Sequence, residues 1–99
     1  MKIKIPVTIH PDDEVELDAL LMHGCWAIVP ALDYLTRQPV RYRYQVVEVE
    51  SGLSVCHCDL VELVQACRYV KSLPPVLADA MPVISQTWEA FCKSEGISY

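Results

Sequence analysis

The chain has 99 residues and a formal net charge of −5, with 53% hydrophobic and 21% charged residues. This composition excludes a disordered chain, and the length fits one compact domain spanning residues 1–99. An odd number of cysteines, and a Pro-interrupted segment after Lys2 and Lys4 instead of an apolar leader, predict a cytoplasmic protein with reduced thiols.

The N-terminal segment has the alternation of a strand. Its aliphatic residues are separated by Lys, Pro and Thr, so they would share one face. These aliphatic residues are Ile3, Ile5, Val7 and Ile9. A helix is expected next, capped by Asp12 or Asp13 and running to about His23, where Gly24 would end it.

The segment from residue 25 to residue 38 contains Pro30, whose position before Leu32 and Leu35 favours a second, short helix. The apolar run Ala19–Leu32 around it is interrupted by His23, Gly24 and Pro30. It is also shorter than the roughly 18 to 20 residues of a membrane span, so it predicts core or interface.

A β-hairpin is expected in the middle of the chain. Arg41–Glu50 is rich in Tyr and Val, and Ser51-Gly52 would turn it into a second strand from Leu53 to Cys58. The hydrophobic phase slips between Val46 and Val47, which predicts either a bulge or coverage of both faces.

Two helices complete the pattern. Asp59 and Glu62 have the spacing of a capping box, and Pro74-Pro75 would end the first helix. Its predicted inward stripe is Leu60, Leu63, Val64, Cys67 and Val70. The last helix starts near Pro82, buries Ile84, Thr87, Trp88 and Phe91, and ends at Gly96. The predicted fold is α+β, with a small antiparallel sheet of about three strands and three to four helices packed on one face.

The most conspicuous charge feature is a cluster of five acidic residues, a number equal to the formal net charge of −5. Its members are Asp12, Asp13, Glu14, Glu16 and Asp18. Acids at a helix start interact favourably with the helix dipole, yet five exceed what the dipole rewards. The cluster therefore predicts either a solvated helix start or a partner-binding surface that meets something positive. Trp26 and Tyr34 are candidate interface anchors, although a place in the core is the default for such residues.

No catalytic, cofactor or metal motif stands in the sequence, so no catalytic residue, cofactor or metal site is predicted. Cys56-His57-Cys58 is the one tight group of metal-type side chains. On a strand His57 would point away from the two cysteines, which favours packed thiols over a metal or redox site.

Arg41-Tyr42-Arg43-Tyr44 interleaves bases and aromatics as a nucleic-acid-binding strand does. Strand alternation gives another explanation, in which the tyrosines pack against the helices and the arginines face water. Because the net charge also opposes a polyanion, direct nucleic-acid binding is not expected.

These features predict a non-enzymatic binding module or inhibitor that docks an acidic helix onto a basic surface, such as a nucleic-acid-binding one, of a larger protein or nucleoprotein complex. In size, acidity and lack of motifs the chain resembles small phage proteins that block host defence complexes, such as anti-CRISPR proteins. The resemblance implies an inhibitor and carries over no residue. Two alternatives stay open: a homodimeric structural or regulatory subunit, and a Cys/His metal or thiol protein. No membrane partner is expected.

Overall fold

The computed structural model describes residues 1–7, 10–33 and 35–98, with the backbone alone for Val7 and residues 10–13. The predicted α+β class is confirmed, but the described residues form five strands in two antiparallel sheets and only two helices longer than one turn. The strands are β1 (Lys2–Val7), β2 (His10–Asp18), β3 (Leu21–His23), β4 (Trp26–Asp33) and β5 (Gln38–Glu48). The helices are α1 (Leu63–Ser72), the single turn α2 (Leu77–Ala80), a 3-10 turn (Met81–Val83) and α3 (Ile84–Glu95).

Strand β4 lies at the centre of the molecule and is buried on both faces. It pairs with β3 on one edge and with β5 on the other. Trp26 and Ile28 pack into the core under the helices, whereas Ala27 and Val29 pack against the β1–β2 hairpin. The molecule therefore has three layers, in the order hairpin, sheet and helices.

The prediction of a helix from Asp12 to His23 is wrong. Residues 10–18 form β2, paired antiparallel with β1, and the chain then crosses to the second sheet as β3. The physical reason is the alternation of burial along β2, where Leu17 is buried and Val15 half-buried, while Glu14, Glu16 and Asp18 are exposed. Burying the alternate apolar residues of β2 against β4 favours a strand over the predicted helix.

The short helix predicted after Pro30 is also wrong, because this residue lies within β4 opposite Tyr44. An apolar run that is buried on both faces lacks strand alternation, so periodicity alone does not separate it from a helix. Strand β5 breaks its alternation at Val46 and Val47 for the same reason. Val46 is buried in the core under the helices, and Val47 is buried in the core under the hairpin. Coverage of both faces, one of the two predicted explanations, is therefore confirmed.

The segment after β5 differs in part from the prediction. The turn at Ser51-Gly52 is present, but the predicted second strand, Leu53–Cys58, is reduced to an isolated bridge between Ser54 and Val47. The buried Glu48 organises the turn, because its carboxylate accepts hydrogen bonds from the backbone N–H groups of Glu50 and Ser51.

For the helices, the predicted start of α1 is wrong, and the predicted ends of α1 and α3 are confirmed. Helix α1 begins at Leu63 without a side-chain cap, while Asp59 accepts a hydrogen bond from Gln45 instead. It ends before Pro74, and α3 ends at Gly96, as predicted. Leu63 and Val64 are exposed, contrary to the predicted stripe. Helix α1, the residue Leu73 after it, and α3 supply most of the helical side of the core. Their buried residues are Ala66, Tyr69, Val70, Leu73, Trp88, Phe91 and Cys92. Among the described residues no helix has the length and apolarity that crossing a bilayer requires.

Gly52 couples the turn after β5 to the hairpin layer, and its substitution tests the layer order. Its φ is +70°, and an added Cβ would overlap the Lys4 carbonyl oxygen in β1. Gly96 has the same φ of +70°, with nothing within 4 Å of a Cβ. We expect Gly96→Ala to lower the free energy of unfolding by about 1 kcal/mol, through backbone strain alone. Gly52→Ala should lower it by about 3 kcal/mol, because overlap adds to strain. Urea denaturation measures both, and equal losses would contradict the packing of this turn on β1.

Candidate functional site

The acidic cluster lies on the hairpin layer. Strand β2 exposes Glu14, Glu16 and Asp18 on one face, because strand residues two apart point the same way. This is the outer face of the hairpin, since Leu17 between them is buried against the sheet. The prediction that these carboxylates share a surface is therefore compatible with a strand, although the helix that was to carry them is absent. The side chains of Asp12 and Asp13 lie outside the described residues.

Two lysines of β1 stand across from this row. Lys2 pairs with Asp18 in the β1–β2 register, and its Nζ lies 3.0 Å from Asp18 Oδ1. Lys4 is the register partner of Glu16, and Pro6, which has no charge, is the partner of Glu14. The ion pair is well exposed, so it is worth at most about 1 kcal/mol. Residues 1–18 contain five acids and two lysines, a net charge of −3. The lysines thus reduce the acidic character of the hairpin without cancelling it.

Trp26 is a core residue, so its prediction as an interface anchor is wrong. Its side chain is fully buried beneath the helices, and its Nε1 donates a hydrogen bond of 2.7 Å to the Pro74 carbonyl oxygen. This bond ties the start of β4 to the segment that follows α1, and it satisfies the buried indole N–H. Tyr34, the second predicted anchor, lies outside the described residues.

The Cys56-His57-Cys58 segment lies in the irregular stretch after β5. Burial raises the pKa of the Cys56 thiol to about 12. Burial, and secondarily the charge of Asp59, also raises the pKa of Cys58. His57 is exposed, with its ring edge-on to Trp88 at a centroid distance of 5.8 Å. Since the thiolate is the nucleophile and the metal ligand, protonated thiols are chemically quiet at neutral pH. No group of three or more metal-ligating side chains occurs among the residues the structure describes.

A cleft of about 540 Å³ opens between the hairpin layer and the loop after β5. One wall is apolar and includes Ile5, Leu17 and Val29. The polar groups on the other side bond one another, because Gln45 donates to Asp59 and accepts from the Ser54 hydroxyl. Cys56, His57 and Cys58 also line this cleft, and burial raises the pKa of both thiols.

The Arg41–Tyr44 segment of β5 differs in part from the sequence interpretation, which packed both tyrosines against the helices. Tyr44 packs against the helical core as expected, but the side chain of Tyr42 is 74% exposed. Arg41 and Arg43 on either side of it are also exposed. The reason is a bulge in β5, which breaks the alternation from which the burial of both tyrosines was predicted.

Comparison with protein-family models, curated proteins and solved structures finds no match to this chain.

The protonation of Cys56 yields a direct test of the thiol interpretation. A pKa of about 12 leaves a thiolate fraction on the order of 10⁻⁴ at pH 8. In the folded protein we expect iodoacetamide to modify Cys56 at least about a hundredfold more slowly than in the urea-unfolded chain. Peptide mass spectrometry of a time course at pH 8 measures both rates. Equal rates in the two states would contradict the buried thiol and revive the redox alternative.

Proposed function

We propose that this protein is a non-enzymatic binding module that docks the acidic outer face of its β1–β2 hairpin onto a basic surface of a larger protein or nucleoprotein complex. The acidic residues lie on a strand instead of the predicted helix, and the proposed interaction is still between carboxylates and a basic surface. An inhibitor of the kind formed by small phage anti-defence proteins would use such a surface.

The observation that carries the proposal is the row formed by Glu14, Glu16 and Asp18. Same-face neighbours on a strand are spaced by roughly 7 Å, so the three carboxylates form a regular, exposed line. Glu14 stands opposite Pro6 and receives no cation from the cross-strand position. The Lys2–Asp18 ion pair at the other end is solvent-exposed and easily exchanged for contacts with a partner.

Electrostatic complementarity acts mainly on the rate and orientation of encounter. An excess of three negative charges in residues 1–18 would attract a basic patch at low ionic strength, with screening over about 8 Å at physiological salt. The hairpin is also a stiff carrier, because Ile3, Ile5 and Leu17 fix its inner face on the sheet. Binding would therefore need little rearrangement of this face.

The non-enzymatic part of the proposal is supported by the state of the thiols. The most suggestive nucleophile candidates, Cys56 and Cys58, have raised pKa values from burial. The charge of Asp59 raises both pKa values further, whereas the electropositive setting that activates a cysteine would lower them.

Neutralising the row tests this proposal. The variant Glu14→Gln, Glu16→Gln and Asp18→Asn should fold, because all three side chains are exposed. We expect it to capture proteins with basic surfaces from an extract of the source cell at least about tenfold less than the wild type, since rim charges govern encounter. Quantitative mass spectrometry of the captured proteins, with wild-type bait in parallel, measures the ratio.

The matched control removes the same number of negative charges elsewhere. Glu50→Gln, Glu62→Gln and Glu89→Gln are exposed positions outside the hairpin. This control should retain the basic partners that the first variant loses. Equal capture by wild type and hairpin variant at low salt, or equal loss with both triple variants, would refute the hairpin as the docking surface.

A further inference from the structure

Strand β5 contains a large bulge with an unusual backbone. Pro30 of β4 is paired with Tyr44, and Leu32, two residues on, is paired with Pro39. The four residues Val40–Arg43 therefore stand opposite the single residue Ala31. At the bulge Tyr42 has a φ of +58°, which bulky L-residues rarely adopt.

This conformation is costly and leaves a large aromatic side chain in water. A left-handed residue other than glycine costs on the order of 1–2 kcal/mol. Tyr42 gains little burial in return, being 74% exposed, whereas Tyr44 two residues later is half-buried against the helices. Strained residues and bulges occur preferentially where a side chain is aimed at a ligand.

The same segment holds a local positive charge in an acidic protein. Residues 35–47 contain Arg37, Arg41 and Arg43 and no Asp or Glu, a charge of +3. The remaining residues have thirteen acids and five bases, a net charge of −8. Neither Arg41 nor Arg43 forms a salt bridge to any part of the chain that the structure describes. The overall charge of −5 therefore conceals a basic site.

We propose that the Arg41-Tyr42-Arg43 bulge binds single-stranded nucleic acid, with one base stacked on the Tyr42 ring and neighbouring phosphates bound by the two guanidinium groups. Exposed aromatics combined with basic side chains are the recognition elements for unpaired strands, because every base offers a π-face and every phosphate a charge. An acidic peptide would use the arginines but would leave the exposed ring without a partner.

The proposal is independent of the docking surface on the hairpin. If both hold, the partner is a nucleoprotein, contacted through protein by the acidic row and through an unpaired strand by the bulge. The acidic remainder of the molecule lowers affinity for a polyanion in general, so binding should depend on this one segment.

Fluorescence anisotropy with labelled oligo(dT) and oligo(rU) of about twelve nucleotides tests the bulge. At about 50 mM salt we expect saturable binding. The logarithm of the association constant should fall with the logarithm of the salt concentration at a slope of about −1.4, the value for two phosphate contacts. Arg41→Gln with Arg43→Gln should reduce affinity at least about tenfold and remove most of that slope. Tyr42→Ala should reduce affinity at least about fivefold, while Tyr42→Phe keeps it.

The matched control is Lys71→Gln with Lys93→Gln, which removes two exposed positive charges from the helices. It should bind like the wild type, as should the hairpin variant with neutral Glu14, Glu16 and Asp18. No saturable binding, equal loss with the lysine control, equal affinity for a duplex, or competition by poly-glutamate as strong as by unlabelled oligonucleotide would each overturn the proposal. Preference between oligo(dT) and oligo(rU) assigns the strand type, and loss of oligonucleotide binding leaves the result of the capture experiment unaffected.

Discussion

Burial of strand β4 on both faces is the constraint on which the rest of the structure depends. Trp26 and Ile28 lie under the helices, and Ala27 and Val29 lie under the hairpin, all with at most 1% exposure. A strand in this position needs a backbone partner on each edge, which β3 and β5 supply. Strand β4 thus contributes side chains to both cores, as β5 does through Val46 and Val47, and the hairpin and the helices cover opposite faces of these two strands.

This arrangement also accounts for the distribution of charge. The hairpin covers one face of the sheet with Ile3, Ile5 and Leu17, so its alternate residues must face solvent. These alternate positions contain the exposed acids and the lysines across from them. Beyond the double-faced core, β5 is exposed from Gln38 to Arg43 and bulges outward with its arginines. The proposed acidic and basic contacts thus lie on segments whose orientation is fixed by β4.

The local patterns in the sequence predicted β1, much of β5, the end of α1 before Pro74 and the end of α3 at Gly96. Each of these depends on neighbouring residues alone, through alternation, proline sterics or a left-handed glycine. Glu14, Glu16 and Asp18 are exposed on one face of β2, which is compatible with the predicted shared surface. The element that carries it was wrong, because β2 and β3 follow one another closely and their combined apolar residues imitate a helical face.

The remaining differences arise from tertiary contacts that no local pattern encodes. An apolar run such as Trp26–Val29 is compatible with a strand or with a buried helix until its two covering layers are known. The burial of Trp26 depends on Pro74, 48 positions away, and the exposure of Tyr42 depends on a bulge created by the pairing of β5 with β4. The burial of Trp26 and the exposure of Tyr42 could therefore not be derived before the pairing of the strands was known.

Residue-resolved hydrogen exchange of the native protein tests the central role of β4 most directly. If β4 joins the two cores, the amides of Ala27, Ile28 and Val29 should exchange only through global unfolding, with protection equal to the free energy of unfolding from urea denaturation. The amides of Arg41–Arg43 in the bulge should exchange orders of magnitude faster. Exchange of the β4 amides through a local opening, well before global unfolding, would contradict the account.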